Sequence, residues 1–424
     1  MTILIKGARL VDPSQGLDET GDLLLKDGKI AAIGGDLGTE AEEILDGRGL
    51  VAAPGLVDMH VHLRDPGLTY KEDVFTGCRA AAAGGVTSLL AMPNTKPPMD
   101  SPEGVRALLE KAASADAAVY TAACVTKGMQ GEELTDLEAL KAAGAIAISD
   151  DGVPVGSSRC LLEALEKAQK LGLTLTAHCE DMDLARGGKM NDGPLARELG
   201  LPGIPAAAED CGTAREIAAA ASIDAAVHIC HVSTKGSVAL IRDAKARGVK
   251  VTAETCPHYL LLTQEALRSR DADYRMNPPL RTEADRLALI QGLQDGTIDA
   301  ISTDHAPHSP EEKADFAGAP NGSIGMETSL AATLTALEGK LSLSHIIEKM
   351  SWAPARILGI PAGTLQVGQN ADVVLFDPER EWVVDPEKLH GKSKNTPFKG
   401  MTLKGKVLVT IFRGRKVYDG REEI

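Results

Sequence analysis

Short apolar runs alternate with helical segments along the middle of this 424-residue chain, from residue 55 to about residue 340. Each run is four to eight residues long, the usual length of a buried strand. The eight runs are Gly55–His62, Val86–Met92, Ala117–Cys124, Ala145–Ser149, Leu173–His178, Ala225–His231, Val249–Thr255 and Ala300–Thr303. Strands that alternate with helices form parallel sheets, and eight such units predict a (β/α)8 barrel of the TIM type.

The segments between these runs carry helical patterns and helix stop signals. The helical candidates are Pro102–Ala113, Ser158–Leu171, Gly212–Ala221, Gly236–Arg247 and Glu283–Gln294. Glycines stand just before the next strand, as helix C-caps should, at Gly84-Gly85, Gly144, Gly172 and Gly248. A last helical stretch, Ser342–Leu358, is expected to lead out of the barrel.

The two ends of the chain read as short strands and turns. The predicted strands are Ile3–Val11, Asp22–Leu25, Lys29–Ile33, Ala371–Phe376, Trp382–Val384, Lys406–Arg413 and Lys416–Tyr418, with a hairpin turn at Asp27-Gly28. Neither end is large enough to close a core alone, so we expect both to pair into one small β domain. The predicted division is residues 1–53 and 360–424 for the β domain and 54–359 for the barrel.

Composition restricts the class of function. A formal charge of −15 argues against a nucleic-acid or anionic-membrane surface, although a metal and an arginine could still favour an anionic substrate inside a pocket. The chain has no long apolar run, and its first residues lack a signal-peptide layout. Its seven scattered cysteines fit a reducing cytoplasm. We therefore expect a cytoplasmic protein without a nucleic-acid or membrane partner.

Histidine and aspartate recur where the predicted strands end. Residues i and i+2 of a strand share a face, so His60 and His62 should point to the same place. The other strand-end residues are Asp151, His178, His231 and Asp304. Barrel enzymes carry their chemistry at this end of the strands, and imidazole with carboxylate favours zinc or its neighbours. Six ligands exceed the need of one tetrahedral zinc, so two metals sharing a bridging carboxylate are predicted.

Each of these residues also has a structural interpretation. His178 and His231 could be satisfied core histidines, Asp151 a turn or helix-cap residue, and Asp304 a helix cap. Their joint occurrence at strand ends favours the metal site. Further residues of the same types default to structure: Cys256 and His258, which are separated by Pro257, and His228, His345 and His390.

The predicted chemistry is hydrolysis of an amide-like bond, or its reverse. Two cations can hold a hydroxide between them and polarise a carbonyl, so that the hydroxide attacks the amide carbon. Asp304 could take the proton and deliver it to the departing nitrogen. Arg64, at the pocket rim, suits a carboxylate, unless it forms a surface salt bridge with Asp65 or Glu72. Asn94 offers a donor and an acceptor, or is a turn residue.

Two segments of the chain resemble the signatures of dihydroorotases, a family within the amidohydrolase superfamily. The segments are His60-Val61-His62-Leu63-Arg64-Asp65-Pro66-Gly67 and Thr303-Asp304-His305-Ala306-Pro307-His308. The resemblance covers essentially the whole chain, including a C-terminal return at Gly363–Asp372. It implies a zinc enzyme that interconverts N-carbamoyl-L-aspartate and L-dihydroorotate in pyrimidine synthesis.

The resemblance also implies roles for single residues. One metal would be held by His60, His62 and Asp304, and the other by His178 and His231, with Asp151 as the bridge of the class I, aspartate-bridged type. Arg64, Asn94 and His308 match residues that clamp the substrate carboxylate, and Asn277 and Gly322 match ring-contacting positions; His62 is expected to contact substrate as well. The chain departs from many relatives at Asn321, where they carry an aromatic residue.

Two other functions compete with this one. The chain could be another cyclic amidohydrolase, such as a hydantoinase or allantoinase, although Arg64 and the Asp304–His308 segment favour a substrate with a carboxylate. It could also be a non-catalytic partner of aspartate transcarbamoylase, although such partners typically lose ligands. A homodimer is expected, and association with aspartate transcarbamoylase stays open, as does closure of the loop at 309–322.

Overall fold

A barrel of parallel strands forms the centre of the protein, for which a computed structural model describes residues 2–421. Its eight strands, called first to eighth below, follow one another in sequence order around the sheet. They are Leu56–Val61, Val86–Ala91, Ala118–Ala123, Ala147–Ile148, Thr174–Ala177, Val227–Ile229, Val251–Thr255 and Ala300–Ile301. A parallel bridge between Val61 and His305 joins the first strand to the segment after the eighth. The predicted TIM-type barrel is confirmed.

One helix of at least 7 residues follows each strand and packs on the outside of the barrel. These helices are Val74–Ala83, Pro102–Ala112, Leu137–Ala143, Ser158–Leu171, Ala206–Ser222, Lys235–Ala246, Glu283–Gln294 and Ser329–Leu337. The helix Ser158–Leu171 has the predicted glycine end, since Gly172 adopts a left-handed conformation with φ 63°. The predicted helix at Gly212–Ala221 begins earlier, directly after Pro205, because the alanines at 206–208 continue the helix toward its N-terminus.

Shorter elements fill the connections. The short helices and turns are Pro13–Gln15, Lys127–Met129, Met182–Ala185, Pro194–Leu199, Pro257–Leu261, Gln264–Ser269, Ala272–Tyr274, Pro310–Lys313, Met326–Thr328, Leu343–Ile347, Glu348–Trp352, Ala353–Leu358 and Pro386–Lys388. A two-stranded ladder joins Met190–Asn191 to Gly203–Ile204. The predicted helical tail is confirmed: Ser342 caps a run of helical turns that ends at Leu358.

The second sheet contains both ends of the chain, as predicted. Its strands are Thr2–Asp12, Leu17–Lys26, Lys29–Gly34, Glu43–Asp46, Val51–Pro54, Val373–Val383, Thr402–Phe412 and Arg415–Asp419. Val51–Pro54 is central, because it pairs in parallel with the first of these strands and antiparallel with Val373–Val383. The two strands predicted at Ala371–Phe376 and Trp382–Val384 are one strand, with an irregular register between Asp377 and Glu381.

One residue, Gly55, separates the strand Val51–Pro54 of this sheet from the first barrel strand. Val51–Pro54 runs through Gly55 into the first barrel strand, and a Cβ at Gly55 would lie 2.1 Å from Thr87 Oγ1. The Gly55 N–H donates to the Asp372 carbonyl oxygen, and the Gly55 carbonyl oxygen accepts from the Ser351 hydroxyl. The close approach therefore requires glycine. Within residues 2–421, no helix combines the length and apolar character of a membrane span.

Candidate metal centre

The first barrel strand presents two histidines to the carboxyl end of the barrel. His60 lies in the strand and His62 follows it, and both are buried. His60 Nε2 lies 3.3 Å from Asp151 Oδ1, and His62 Nε2 lies 3.1 Å from Asp304 Oδ1. The alternation of a strand thus brings both imidazoles to the same carboxylates, as the His-x-His spacing predicts.

Two further histidines face them from the fifth and sixth strands. His178 and His231 follow these strands, and His178 Nδ1 lies 3.0 Å from His231 Nε2. The same two nitrogens lie 3.6 and 3.5 Å from Asp151 Oδ1. Asp151 therefore stands between the pair His60 and His62 and the pair His178 and His231.

Asp304 completes the cluster of six residues. It is 7% exposed and lies 3.7 Å from His60 as well as 3.1 Å from His62, measured from Oδ1 to each Nε2. The side chains of Asp151 and Asp304 cap no helix and turn into the cluster. The six predicted ligands are therefore brought together from five strands of one barrel.

Charges within the cluster compensate one another. Burial opposes ionisation of Asp151, but the imidazoles of His60 and His231 outweigh it and hold the pKa of Asp151 well below its usual value. For Asp304, burial is likewise outweighed, mainly by the hydrogen bond from His62, and its pKa is lowered. Burial disfavours a charged His60, yet Asp151 raises the pKa of His60 well above the ordinary value. Both carboxylates are thus anionic at neutral pH, as metal ligands must be.

Three residues of the site have backbone conformations that are unusual for non-glycine residues. The φ angles of Arg64, His231 and Asp304 are 59°, 36° and 48°. Such left-handed conformations cost roughly 1–3 kcal/mol each and cluster at functional sites. Here each one turns the chain sharply where a barrel strand ends.

Unsatisfied buried nitrogens indicate that a cation fits among these residues. Both ring nitrogens of His60 and Nδ1 of His231 have no hydrogen-bond partner among the described residues. Within residues 2–421, three groups have possible ligand atoms within 4.8 Å of one another, and two of them share Asp151: His60, His62 and Asp151 in one, and Asp151, His178 and His231 in the other. Imidazole nitrogens and carboxylate oxygens are the ligands that zinc and similar divalent metals prefer. The donor set therefore suits divalent metal.

The cluster opens into a cavity of about 190 Å³. Among its lining residues are His62, Arg64, Asn94, Asp151, His178, His231, Asn277, Asp304, His308 and Gly322. Every site residue predicted from the sequence lines this cavity except His60, which lies beneath it. The residues predicted to bind metal and the residues predicted to bind substrate therefore share one cavity.

Arg64 and Asn94 connect the cluster to the cavity rim. Arg64 Nε donates to the Pro307 carbonyl oxygen at 3.1 Å, whereas Asp65 pairs with Lys111. Glu72 accepts from the Lys392 N–H, so the alternative of a surface salt bridge from Arg64 to Asp65 or Glu72 is wrong. Asn94 Oδ1 accepts from His62 Nδ1 at 2.8 Å, and its Nδ2 donates to Asp151 Oδ2 at 3.2 Å, so its role exceeds that of a turn residue.

His308 stays neutral at the rim. Burial, together with the positive charges of Arg64 and Lys71, lowers the pKa of His308 to about 3. Its Nε2 lies 2.9 Å from the Asn321 carbonyl oxygen and 3.4 Å from Arg64 Nη2. Its Nδ1 lies 3.3 Å from Lys71 Nζ and 3.2 Å from Glu312 Oε2, and Glu312 also pairs with Lys71 at 2.9 Å. Glu312 thus compensates the charge of Lys71, and the guanidinium of Arg64 is the rim cation that suits an anionic ligand.

Asn277 and Gly322 lie on loops at the other side of the cavity. Asn277 Nδ2 donates to Glu180 Oε2 at 3.1 Å, and Asn277 Oδ1 has no partner among the described residues. Gly322 has a φ of 132°, and a Cβ there would lie 3.0 Å from His308 Nε2. A side chain at this position would crowd the rim.

Sequence reasoning missed two glutamates beside the ligands. Glu180 Oε2 lies 3.3 Å from His178 Nε2, and Glu254 Oε1 lies 3.3 Å from His60 Nδ1. Glu180 stands two residues after His178, so the period of a strand could have indicated it. Glu254 is a charged residue inside a buried barrel strand, which is itself a signal. His228, assigned to structure, contacts Glu254 at 3.5 Å.

Known proteins resemble the chain over its full length. Residues 49–237 match the family model described as "Dihydro-orotase-like". A dihydroorotase of Citrifermentans bemidjiense is 51% identical over 422 residues, covering 99% of this chain and 100% of the relative. A dihydroorotase of Syntrophus aciditrophicus is 50% identical over 423 residues, covering 99% of both chains.

Solved structures with similar folds are hydantoinases and dihydropyrimidinases by name. The L-hydantoinase (dihydropyrimidinase) from Arthrobacter aurescens matches with a TM-score of 0.87 and 28% identity, covering 98% of this chain and 96% of that one. A dihydropyrimidinase from Brevibacillus agri matches with a TM-score of 0.86 and 29% identity, covering 99% and 95%. The barrel and the second sheet are therefore both shared with these enzymes.

Proposed function

The chain belongs to the dihydroorotase family and is a cyclic amide hydrolase, and from this premise we propose that it interconverts L-dihydroorotate and N-carbamoyl-L-aspartate in pyrimidine synthesis. The observation that carries this choice of substrate is Arg64, whose guanidinium lines the same cavity as the histidine and aspartate cluster. A carboxylate on the ring would meet this guanidinium while the amide lies over the cluster.

We further propose that the cluster holds two zinc ions. His60, His62 and Asp304 would bind one, His178 and His231 the other, and Asp151 would bridge them, as in the aspartate-bridged class. The two donor groups that share Asp151 support this arrangement. When bound, the ions would polarise the ring carbonyl and activate a water near neutral pH.

Asp304 is the proposed proton carrier. Its carboxylate is ionised, lines the cavity and is held by His62 at 3.1 Å, so it can accept a proton from the attacking water. The same proton can pass to the ring nitrogen when the carbon–nitrogen bond breaks. Ring opening creates a new carboxylate and closure consumes a proton. Lower pH should therefore favour dihydroorotate.

The substrate contacts follow from the hydrogen-bonding capacity of the rim. Arg64, Asn94 and neutral His308 would bind the ring carboxylate, and His62 would touch the substrate from the cluster side. Asn277 Oδ1 is buried without a partner among residues 2–421, so it can accept a hydrogen bond from a ring N–H. Gly322 would leave room for the ring beside His308.

Ring-opening assays on dihydroorotate, hydantoin and allantoin, run side by side, test this proposal. We expect dihydroorotate to be the preferred substrate by kcat/KM. Preference for hydantoin would favour the alternative suggested by the similar hydantoinase structures. No turnover of any of the three, with no bound metal, would favour a non-catalytic partner of aspartate transcarbamoylase.

We also propose the assembly and location that such an enzyme would have. The expected form is a cytoplasmic homodimer, with association with aspartate transcarbamoylase left open. The proposed domain division is residues 1–53 and 360–424 for the β domain and 54–359 for the barrel. Size-exclusion chromatography with light scattering tests the dimer.

A further inference from the structure

A carboxylate is buried inside the barrel, below the metal centre. Glu254 lies in the seventh strand, Val251–Thr255, and is 0% exposed. It does not line the substrate cavity. Because a buried carboxylate is strongly disfavoured unless it is paired, the groups around Glu254 must compensate its charge.

The groups that compensate this charge lie in the first and sixth strands and just after the eighth. Glu254 Oε1 lies 3.3 Å from His60 Nδ1, and Oε2 accepts from the Ser302 hydroxyl and lies 3.5 Å from His228 Nε2. His228 Nδ1 in turn lies 2.8 Å from Thr252 Oγ1. Ser302 is itself fixed, because its oxygen accepts from the Met59 N–H. Glu254 therefore has a defined position against the first strand.

The contact with His60 selects one form of its ring. With a cation bound at Nε2 the imidazole is neutral and carries one N–H, and the Glu254 carboxylate 3.3 Å from Nδ1 favours the proton there. The other nitrogen, Nε2, then presents its lone pair toward Asp151 at 3.3 Å. We propose that Glu254 is a positioning residue that fixes the orientation and tautomer of His60 and thereby strengthens metal binding on the His60 side of the centre. This inference depends on the proposed function, because it takes His60 as a metal ligand.

Two of the other three imidazoles of the cluster support this interpretation, whereas His231 Nδ1 has no partner among the described residues. The rear nitrogen of His62 meets Asn94 Oδ1, and that of His178 meets Glu180 Oε2. Both partners also reach the substrate side of the site, since Asn94 lines the cavity and Glu180 holds Asn277. Glu254 differs because, within residues 2–421, the side chains that it contacts do not line the cavity. It can therefore influence the substrate only through His60. Loss of Glu254 should therefore affect the metal and leave substrate contacts unchanged.

A carboxylate–imidazole pair outside the barrel provides the matched control. The side chain of Glu327 is 7% exposed, and its Oε2 lies 2.8 Å from His390 Nδ1. Glu327→Gln makes the same chemical change to a similar contact without touching a predicted ligand. A general loss of stability would appear in both variants, whereas a positioning role affects only Glu254.

The experiment is zinc retention by the full-length protein during dialysis against graded chelator, with wild type, Glu254→Gln and Glu327→Gln in parallel. We expect wild type and Glu327→Gln to hold two ions, and Glu254→Gln to lose one of them at about 10- to 100-fold lower chelator concentration. Excess zinc should restore kcat in Glu254→Gln, with the wild-type KM for dihydroorotate. Glu254→Asp, which keeps the charge but shortens the reach, should also lose one ion early.

Retention of both ions by Glu254→Gln and Glu254→Asp as in wild type would overturn the inference alone. A third ion in wild type that Glu254→Gln lacks would also overturn it, because His60, Cys230 and Glu254 form a group of potential ligands themselves. A wild-type protein without metal would refute the proposed metal centre, and the inference with it. If Glu254→Gln does not fold, Glu254→Asp alone decides the outcome.

Discussion

The floor and the rim of the active-site cavity are built differently. The floor is the cluster of His60, His62, Asp151, His178, His231 and Asp304, and each of these residues lies in a barrel strand or within three residues of its end. The rim consists of Arg64 and Asn94, which each lie three residues past a strand end, and of Asn277, His308 and Gly322, which lie farther along the connecting loops. The floor is fixed by the hydrogen-bonded ladder of the barrel, whereas the rim depends on contacts between distant loops.

His308 illustrates this dependence. The backbone N–H of His308 donates to Asn395 Oδ1 at 3.1 Å, and Asn395 Nδ2 donates to the Gly322 carbonyl oxygen at 3.1 Å. A residue from the segment before the last strands thus joins two rim positions. The comparison predicts that changes in the floor reduce the rate of chemistry, and that changes in the rim reduce substrate affinity.

The largest effect is expected at Asp304. Asp304→Asn keeps the shape but removes the proton acceptor and weakens a ligand, so kcat should fall by at least about 10²- to 10⁴-fold. Steady-state kinetics with dihydroorotate, together with metal content, measures this change. Asp372→Asn, which alters a buried aspartate that accepts from the Arg413 N–H, is the control. An active Asp304→Asn enzyme would remove the assigned role.

A smaller effect on a different parameter is expected at the rim. Arg64→Ala removes a charge-assisted contact with the substrate carboxylate, which is worth roughly 1.5–3 kcal/mol, so KM should rise by about 10- to 100-fold. The metal content should not change. Arg64→Lys keeps the charge without the bidentate geometry and should fall between Ala and wild type. An unchanged affinity for dihydroorotate would contradict the proposed clamp.

The smallest effect concerns stability in acid. Folding lowers the pKa of His308 to about 3, so between the unfolded value and pH 3 only the unfolded chain takes up the proton. Its contribution to the free energy of unfolding is therefore fully present above about pH 6.5 and falls with pH by up to about 1.4 kcal/mol per unit. Urea titrations at several pH values give the free energy of unfolding. Its slope against pH should differ between wild type and His308→Gln between pH 6 and 4. Parallel slopes would show that His308 is protonated in the folded state.

The floor was predictable from sequence because its signals are local. The spacing of His60 and His62 follows from strand alternation, and the remaining ligands follow from the ends of apolar runs. Glu254 was missed because its partners His60 and His228 lie on other strands, and no local pattern connects them. Strand pairing likewise decided the continuous strand Val373–Val383, since Thr402–Phe412 pairs with both of its halves.

Arg64 and Asn94 were predicted from their places after strand ends, whereas the rest of the rim was predictable only through family resemblance. Its geometry needs contacts such as that between His308 and Asn395, which are 87 residues apart. The surface salt bridge considered between Arg64 and Asp65 was wrong because a residue distant in sequence pairs with Asp65. That residue is Lys111, which lies on the helix after the second strand.

Metal content measured together with dihydroorotate turnover tests the central claim most directly. The protein should bind two zinc ions per chain, lose turnover when a chelator removes them, and regain it when zinc is restored. A protein that opens dihydroorotate at an unchanged rate after complete metal removal would contradict the account.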